Sequence, residues 1–354
     1  MAAHPRCQGR RHMTPERHDA DFQAPPGLAN RHLQTLLPRL LPAPSPVLSW
    51  ETLALPDGDV VELCWIAPGP ADEDAPLFVL FHGLEGSVDS PYARQLLTAA
   101  GERGYRALLM HFRGCGRHPN RRPRAYHSGD TADAHWLLTR LARRYPRAPR
   151  IACGVSLGAN MLLKLVAEDA QREFPALHGA IAIAPPVDLA ASADCLERGF
   201  ARVYQRHLLG ALKAKVAPRL DAGELPLALS SRDLNGLGTL RQYDDAVTAP
   251  LHGFAGAADY YRRASAGPRL AGIRLPTLIL HAEDDPFMPS RLYQDVTLGP
   301  GIRLETSRHG GHVGFIERRG GRLASWLARR VGAQLDGWAG ATPSMREAFS
   351  RSDS

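Results

Sequence analysis

One serine in this sequence lies in a setting that is typical of nucleophilic catalysis. Ser156 is the central residue of the pentapeptide G-V-S-L-G at 154–158, the only G-x-S-x-G pattern in the chain. An apolar run at 151–153 precedes it and a helical pattern from Ala159 follows, which predicts a sharp turn from a buried strand into a helix. Such a turn strains the serine backbone and requires small flanking residues, because larger side chains would clash with the neighbouring strand and helix. An ordinary structural turn serine is the weaker interpretation.

A serine hydroxyl is a poor nucleophile and needs a base that a third group orients. Where a serine occupies this kind of turn, the acid follows it in the chain and the histidine comes last. Asp285 is the predicted acid, because it follows the apolar run 277–281 and begins an Asp-x-x-x-Pro pattern that ends at Pro289. Glu283 and Asp284 remain alternatives, and their simpler interpretation is as solvated loop acids or helix caps.

The predicted base lies after the last apolar run, in the sequence R-H-G-G-H-V-G-F at 308–315. His312 lies among glycines that would let an imidazole reach inward, and it follows Asp285 in the required order. His309 competes for the role, although a surface loop histidine is its more ordinary interpretation. The spacing and the chain order therefore favour His312.

Acyl transfer also needs hydrogen-bond donors for the oxyanion that forms when the serine attacks. One donor is expected to be the backbone N–H of Leu157, immediately after the nucleophile. The other is expected to be the N–H of Leu84 in the loop 81–86, where Gly83 would allow the turn that directs it. The imidazole of His82 is expected to bond loop backbone rather than to act on substrate.

Other chemistries have weaker signals. The Gly-Cys-Gly run at 114–116 follows an apolar run, but Pro119 stands where a dinucleotide fingerprint needs its third glycine. Cys153 belongs to a buried run and Cys115 has no histidine at a matching position, so neither is expected to be a nucleophile. The sequence contains no metal-ligand spacing such as H-E-x-x-H. We therefore expect neither a cofactor nor a metal.

Seven short apolar runs have the composition of strands that are buried on both faces. They lie at residues 60–66, 77–81, 107–112, 151–154, 180–184, 277–281 and 302–306. Helical patterns lie between several of these runs, at 92–103, 131–144 and 159–169. This alternation indicates the α/β class with a mostly parallel, doubly wound sheet. Together with the serine turn, it predicts the α/β-hydrolase fold.

The strand pattern is interrupted once along the chain. No strand-like run occurs from Pro186 to about Arg274, where helical stretches such as 196–217 dominate. We interpret 186–274 as a helical lid inserted into a single core that comprises 21–185 and 275–340. The polar ends of the chain are expected to be disordered tails, at 1–20 and 341–354. Apolar stretches in the lid, such as 225–229, favour an apolar substrate with a medium to long acyl chain.

Charge and cysteine content count against several classes of function. The net charge is +7, but only three of the 43 basic residues are lysines, and the arginines are scattered along the chain. Their densest cluster, at 113–124, lacks interleaved aromatic residues that could stack on bases, so no nucleic-acid partner is expected. The five cysteines are odd in number and widely spaced, which favours a reducing compartment. Without a signal peptide or a run of about 18 apolar residues, we expect a soluble, cytoplasmic protein that does not insert stably into membranes.

Many separated motifs of the chain resemble those of one group of hydrolases. They are the segments 30–36, 55–59, 81–87, 111–115, 126–129, 154–158, 248–253, 259–261, 284–288 and 310–315, together with Asn120, Asp244 and Asp245. Over about residues 22–338 the chain resembles the bacterial YheT-like hydrolases of the AB hydrolase 4 family, which are related to animal α/β-hydrolase domain proteins. The resemblance implies a hydrolase or carboxylesterase with the triad Ser156, Asp285 and His312. One departure is Ala159, where a second glycine often follows the serine turn.

The residues and the resemblance lead to one functional hypothesis and three alternatives. We expect a serine carboxylesterase that hydrolyses small-molecule esters through an acyl-enzyme on Ser156. A thioesterase or acyltransferase with the same triad is the alternative among enzymes. A non-catalytic binding protein on the same scaffold is the alternative outside them. A role at a membrane surface is the third alternative, and in the sequence it rests only on the net charge.

Overall fold

The chain folds around a nine-stranded sheet. The structure is a computed structural model that describes residues 16–169 and 177–340. In chain order the strands of the sheet are β1 (Glu16–Asp19), β2 (Leu48–Ala54), β3 (Val60–Ile66), β4 (Leu77–Phe81), β5 (Arg106–Met110), β6 (Arg150–Val155), β7 (Gly179–Ile183), β8 (Thr277–Ala282) and β9 (Ile302–Ser307). Their spatial order is β1-β9-β8-β7-β6-β4-β5-β3-β2. The first seven strands in this order are parallel, whereas β3 and β2 continue the sheet in antiparallel pairs.

Helices lie between and after the strands of the sheet, and some of them pack against it. They are α1 (Arg31–Leu36), α2 (Pro91–Gly101), α3 (Ala132–Arg144), α4 (Leu157–Asp169), α5 (Leu189–Leu196), α6 (Ala201–Asp221), α7 (Ser231–Gly236), α8 (Leu240–Tyr243), α9 (Ala249–His252), α10 (Ala257–Ala264) and α11 (Trp326–Gly340). A small hairpin of β10 (Ile316–Arg319) and β11 (Arg322–Ser325) precedes α11. Every described element between β7 and β8 is helical, from α5 to the 3-10 turn Gly267–Gly272.

Burial explains why the central strands are almost entirely apolar. Every residue of β4, β6, β7 and β8 is buried, because helices cover the sheet and leave no strand face for solvent. The runs predicted at 60–66 and 77–81 coincide with β3 and β4, and the other five runs differ from the observed strands by at most two residues at an end. The predicted α/β fold with a mostly parallel sheet is thus confirmed.

The N-terminal segment differs from the expectation of a disordered tail at 1–20. Residues 1–15 lie outside the described residues, but Glu16–Asp19 form β1 at the edge of the sheet beside β9. The Arg17 guanidinium donates to the carbonyl oxygens of Tyr293 and Val296, both at 3.0 Å. All four residues of β1 are exposed, so no apolar pattern could signal this strand. The second predicted tail, 341–354, also lies outside the described residues.

The topology brings four loops to one edge of the sheet. Because β4, β6, β8 and β9 are parallel, the loops that follow them meet at their carboxyl ends. Strand β4 lies between β5 and β6, so the chain leaves β4 towards one side of the sheet and later returns on the other side. Such a switch point opens a crevice at the carboxyl ends of the strands, where ligands bind in open α/β sheets.

Candidate active site

Ser156 occupies the tight turn between β6 and α4. Its backbone φ is +53°, a left-handed conformation that side-chain-bearing residues rarely adopt. A Cβ on Gly154 would lie 2.4 Å from the carbonyl oxygen of Gly158, and a Cβ on Gly158 would lie 2.4 Å from that of His82. Both glycines are therefore required by close backbone packing, as the sequence predicted. The turn places the serine hydroxyl beside the amino end of α4.

The three residues predicted as a triad are joined by two hydrogen bonds. The Ser156 Oγ lies 2.9 Å from Nε2 of His312, and Nδ1 of the same ring lies 2.8 Å from Oδ2 of Asp285. The second oxygen of Asp285 accepts the backbone N–H of Phe287 at 2.8 Å. A carboxylate on Nδ1 favours the tautomer in which Nε2 can accept the serine proton. The phenyl ring of Phe287 stacks on the imidazole at 3.9 Å between ring centroids, which restricts the orientation of the ring.

Asp284, the alternative acid, has different partners. Its Oδ1 accepts the backbone N–H of Gly311 at 2.9 Å, and its Oδ2 lies 3.5 Å from Nδ1 of His309. Burial raises the pKa of the Asp284 carboxyl. The two adjacent acids therefore contact the two alternative histidines separately. In the structure only the pair of Asp285 and His312 extends to Ser156.

Helix α1 supports the histidine loop from outside. The backbone N–H of His312 donates to Oγ1 of Thr35 at 2.9 Å, and the buried Gln34 amide exchanges hydrogen bonds with the backbone of Ile316. A Cβ on Gly314 would lie 2.1 Å from the carbonyl oxygen of Gln34, so this loop needs glycine for the close approach. Sequence reasoning included the segment 30–36 only in a resemblance and gave it no role. Its partners lie more than 270 residues away, so local spacing contained no signal for them.

The loop after β4 presents the backbone amide of Leu84 between two amides that are already bonded. The N–H of Gly83 donates to the Tyr92 hydroxyl at 2.9 Å, and the N–H of Glu85 donates to the Tyr126 hydroxyl at 2.8 Å. Among the described residues, the N–H of Leu84 and that of Leu157 have no protein acceptor. Both residues line the same cavity as Ser156. These two amides are the ones that the sequence predicted as oxyanion donors.

Gly83 was predicted to allow the turn of this loop, and the left-handed residue in it is Glu85. Glu85 has a φ of +55°, whereas a Cβ on Gly83 would lie 3.4 Å from the Cβ of Ser156. Gly83 thus serves the close approach to the nucleophile. The Glu85 carboxylate accepts the Tyr126 hydroxyl at 2.7 Å and pairs with the Lys215 ammonium of α6 at 2.7 Å. This contact joins the loop to the helical segment above it, and sequence analysis did not anticipate it.

His82 and the cysteines have the structural roles that were expected of them. The His82 ring contacts the carbonyl oxygen of Gly83 at 2.7 Å and accepts the N–H of Phe112 at 3.0 Å. Burial lowers the pKa of His82 to about 3, so the ring is neutral. Burial also raises the pKa of the Cys153 thiol, and it raises that of Cys115 to about 11. Neither thiol is activated for attack.

A cavity of about 890 Å³ opens at Ser156 and extends under the helices that follow β7. Much of its lining is apolar and comes from α5, α6 and α8, including Leu196, Leu208, Leu212, Val216, Leu240 and Tyr243. Asp244 lies in the same wall, where Tyr261 and Thr248 donate hydroxyl hydrogen bonds to it at 2.7 and 2.8 Å. Burial raises the pKa of Asp244 to about 6 despite these bonds. Sequence analysis gave this acid no role.

Neither a cluster of metal ligands nor a membrane-spanning helix occurs among the described residues. No group of three or more histidine, cysteine, aspartate or glutamate side chains there could hold a metal ion. In the same part of the chain, no helix has the length and apolar character that crossing a membrane requires.

Comparisons with known proteins identify the family. Residues 72–312 match the sequence profile of Hydrolase_4, described as serine aminopeptidase, S33. The Escherichia coli (strain K12) protein named "Putative esterase YheT" is 45% identical over 319 residues, which cover 88% of this chain and 92% of that protein. "Monoacylglycerol lipase" of Saccharomyces cerevisiae is 28% identical over 266 residues, which cover 73% of this chain and 58% of the yeast protein.

A solved structure agrees with the architecture. The esterase Pf2001 of Pyrococcus furiosus superposes with a TM-score of 0.52 at 15% sequence identity, covering 94% of this chain and 99% of that chain. At this identity the likeness concerns the fold. The profile match spans more than half of the chain, and the bacterial relative matches along nearly its whole length. The chain therefore belongs to the Hydrolase_4 family of α/β hydrolases, as the sequence motifs predicted.

Proposed function

We propose that this protein is a serine hydrolase that cleaves carboxylic esters, with Ser156 as nucleophile, His312 as general base and Asp285 as the acid that orients it. The observation that carries the proposal is the unbroken pair of hydrogen bonds from Asp285 through His312 to Ser156, at 2.8 and 2.9 Å. These contacts lie at the amino end of α4, beside the backbone amides of Leu84 and Leu157, and this location also supports the proposal.

The reaction proceeds in two acyl-transfer steps. Ser156 Oγ attacks the carbonyl carbon of the ester while Nε2 of His312 takes the hydroxyl proton. The carbonyl oxygen becomes an oxyanion, which the N–H groups of Leu84 and Leu157 stabilise. Collapse of this intermediate breaks the bond to the alcohol, which leaves with the proton from His312. In the second step, Nε2 of His312 takes a proton from water while the water oxygen attacks the acyl carbon. The bond to Ser156 Oγ then breaks, Oγ receives the proton from His312, and the acid is released.

The cavity favours an apolar substrate under a helical lid. We propose that residues 186–274 are this lid, on a core of 21–185 and 275–340. Helices α5 to α8 contribute most members of a hydrophobic cluster separate from the main core, and this is consistent with an inserted unit. A volume of about 890 Å³ lies within the range of small-molecule sites and can hold a medium to long acyl chain. The names of the bacterial and yeast relatives, an esterase and a monoacylglycerol lipase, point the same way.

The charges of the cavity favour an ester over an aminopeptidase substrate. The described lining contains only two acidic side chains, Glu85 and Asp244, and both already have partners in Lys215, Tyr261 and Thr248. No unpaired carboxylate is thus available there for the ammonium group of a peptide. Of the four arginines in the same lining, Arg113, Arg124 and Arg219 already pair with acids, and Arg39 adds a positive charge that would repel a cationic substrate. A cytoplasmic location is also part of this proposal, since the four described cysteines are unpaired.

A fluorophosphonate probe and graded esters test the proposal. We expect the probe to label the protein and to leave Ser156→Ala unlabelled, because the probe captures an activated serine. We expect p-nitrophenyl esters to be hydrolysed, with kcat/KM rising from acetate towards octanoate as the acyl chain fills the cavity. An aminoacyl p-nitroanilide serves as the control substrate and should be cleaved far more slowly. Equal labelling of Ser156→Ala, or faster cleavage of the anilide, would overturn the proposal.

A further inference from the structure

The large apolar side chains that the protein exposes are concentrated around the opening of the cavity. Among the described residues six are exposed, and five of them belong to two segments, α1 with the following turn and the start of α6: Leu33, Leu36, Leu40, Phe200 and Val203. We name these five residues the mouth surface. Leu40 is 79% exposed and Phe200 is 49% exposed. Contiguous exposed apolar surface of this kind marks a site of interaction.

The two segments of the mouth surface are in contact with each other. The ring of His32 lies 4.6 Å from the ring of Phe200 between centroids, and its Nδ1 lies 3.1 Å from the Tyr204 hydroxyl. Leu36, Phe200 and Val203 also line the cavity that contains Ser156. Side chains that line a cavity and are exposed form its rim, so whatever covers the mouth surface also covers the entrance.

Unpaired arginines flank this rim. Five exposed arginines lie in or beside the same two segments: Arg31, Arg39, Arg198, Arg202 and Arg206. In the described part of the chain none of them forms an ion pair, in contrast to the arginines that pair with acids elsewhere on the surface. The single acidic residue within 31–41 and 197–207 is Glu197. A partner that fits this rim therefore presents both apolar groups and negative charges.

The start of α6 places these two properties side by side. Phe200 and Val203 lie about one turn apart and line the cavity, while Arg202 and Arg206 are one turn apart on the adjacent exposed side. Exposed apolar side chains beside guanidinium groups fit the interface of a lipid bilayer, which offers both acyl chains and phosphates. There the leucine and phenylalanine side chains enter the acyl region and the guanidinium groups meet phosphates.

We propose that the mouth surface docks the protein peripherally on an anionic lipid bilayer, with the entrance of the cavity facing the lipid. A second copy of the chain is a poorer occupant, because a twofold interface would bring the same unpaired arginines of both copies together. The docking does not depend on the esterase activity, and it can be measured with Ser156→Ala, which consumes no lipid.

Vesicle co-sedimentation tests the proposal with matched variants. The full-length Ser156→Ala protein is mixed with vesicles of phosphatidylcholine alone or with one quarter phosphatidylglycerol. The double substitution Leu33→Ser/Leu40→Ser changes the mouth surface without touching residues that line the cavity. Val47→Ser is its control, because Val47 is 69% exposed and precedes β2 at the edge formed by the amino ends of the parallel strands. Ser156 lies at the other edge, at the carboxyl end of β6. We expect binding to the anionic vesicles to fall at least fivefold in the double variant and to be unchanged by Val47→Ser.

The charge contribution is tested in the same way. We expect Arg202→Gln/Arg206→Gln to lose most of the preference for anionic vesicles, and higher salt to weaken binding of the unsubstituted surface. Arg140→Gln/Arg143→Gln on α3 removes two exposed arginines away from the mouth surface and should retain that preference. Absence of binding to anionic vesicles, equal binding to neutral vesicles, or full binding by Leu33→Ser/Leu40→Ser would overturn the proposal. A dimer in sedimentation velocity that the same double variant dissociates would overturn it as well.

Discussion

The adjacent acids Asp284 and Asp285 allow a sharp test of the proposed catalytic chain. In Asp285→Asn, the backbone N–H of Phe287 still requires an acceptor, because it donates to Oδ1 at 2.8 Å. The amide oxygen therefore stays on Phe287 and the NH2 group faces Nδ1 of His312, in place of the oxygen that now lies 2.8 Å away. A donor at this position favours the tautomer with the proton on Nε2, and that nitrogen can no longer accept the serine proton.

The loss of the base predicts a large effect on kcat. The wrong tautomer of a triad histidine reduces kcat by roughly 10³ to 10⁴, which corresponds to about 4 to 5.5 kcal/mol of transition-state stabilisation. Asp284→Asn is the matched control, because it removes the same charge one residue away and its amide oxygen can still accept the N–H of Gly311. We expect this variant to retain kcat within about tenfold, or 1.4 kcal/mol.

Steady-state hydrolysis of a p-nitrophenyl ester provides kcat and KM for both variants. The rate of labelling by the fluorophosphonate probe should fall in parallel with kcat for Asp285→Asn, because both depend on an activated Ser156. KM should change little, since Asp285 does not line the cavity. A kcat above a tenth of the wild-type value in Asp285→Asn, or an equally deep loss in Asp284→Asn, would refute the assignment of the two acids.

Three further predictions concern stability. Gly158→Ala should lower the free energy of unfolding by more than about 2 kcal/mol, because its Cβ would lie 2.4 Å from the carbonyl oxygen of His82. Gly210→Ala in α6, where a Cβ meets nothing within 4 Å, should raise it by about 0.5 to 1 kcal/mol. The free energy of unfolding of Asp244→Asn relative to that of the wild type should increase by up to about 3 kcal/mol as pH rises from 4 to 7. The reason is that burial raises the pKa of Asp244 from 3.8 to about 6, so its favourable contribution is complete only below about pH 4 and is lost as the carboxyl ionises.

Urea unfolding measures all three changes, at a single pH for the two glycine variants and at several pH values between 4 and 7 for Asp244→Asn. Unchanged stability in Gly158→Ala would show that the close approach at the serine turn can relax. A fall in stability in Gly210→Ala would contradict the open space at that helix position. For Asp244→Asn, a stability difference from wild type that does not vary between pH 4 and pH 7 would show that the carboxyl does not titrate in this range.

Local patterns in the sequence were sufficient for strands β3 to β9 and for the serine turn. Strands that are buried on both faces are largely apolar runs, so β3 to β9 could be read from composition and length. The turn at Ser156 could be read because only glycine fits at 154 and 158, and this requirement is local to the pentapeptide. Strand β1 could not be read, since all four of its residues are exposed and its only guide is the neighbouring edge of β9.

The remaining features depend on contacts between distant parts of the chain. The sequence by itself determined the fold and predicted Ser156 as the candidate nucleophile, with an acid and a histidine following it in that order. It left Asp284 with Asp285, and His309 with His312, as alternatives, because neighbouring loop residues have the same chemistry and nearly the same position. Only the tertiary structure decided which of these side chains point at each other and towards Ser156. It also created the mouth surface, which forms where two segments more than 150 residues apart meet at the rim of one cavity, and no local pattern encodes such a meeting.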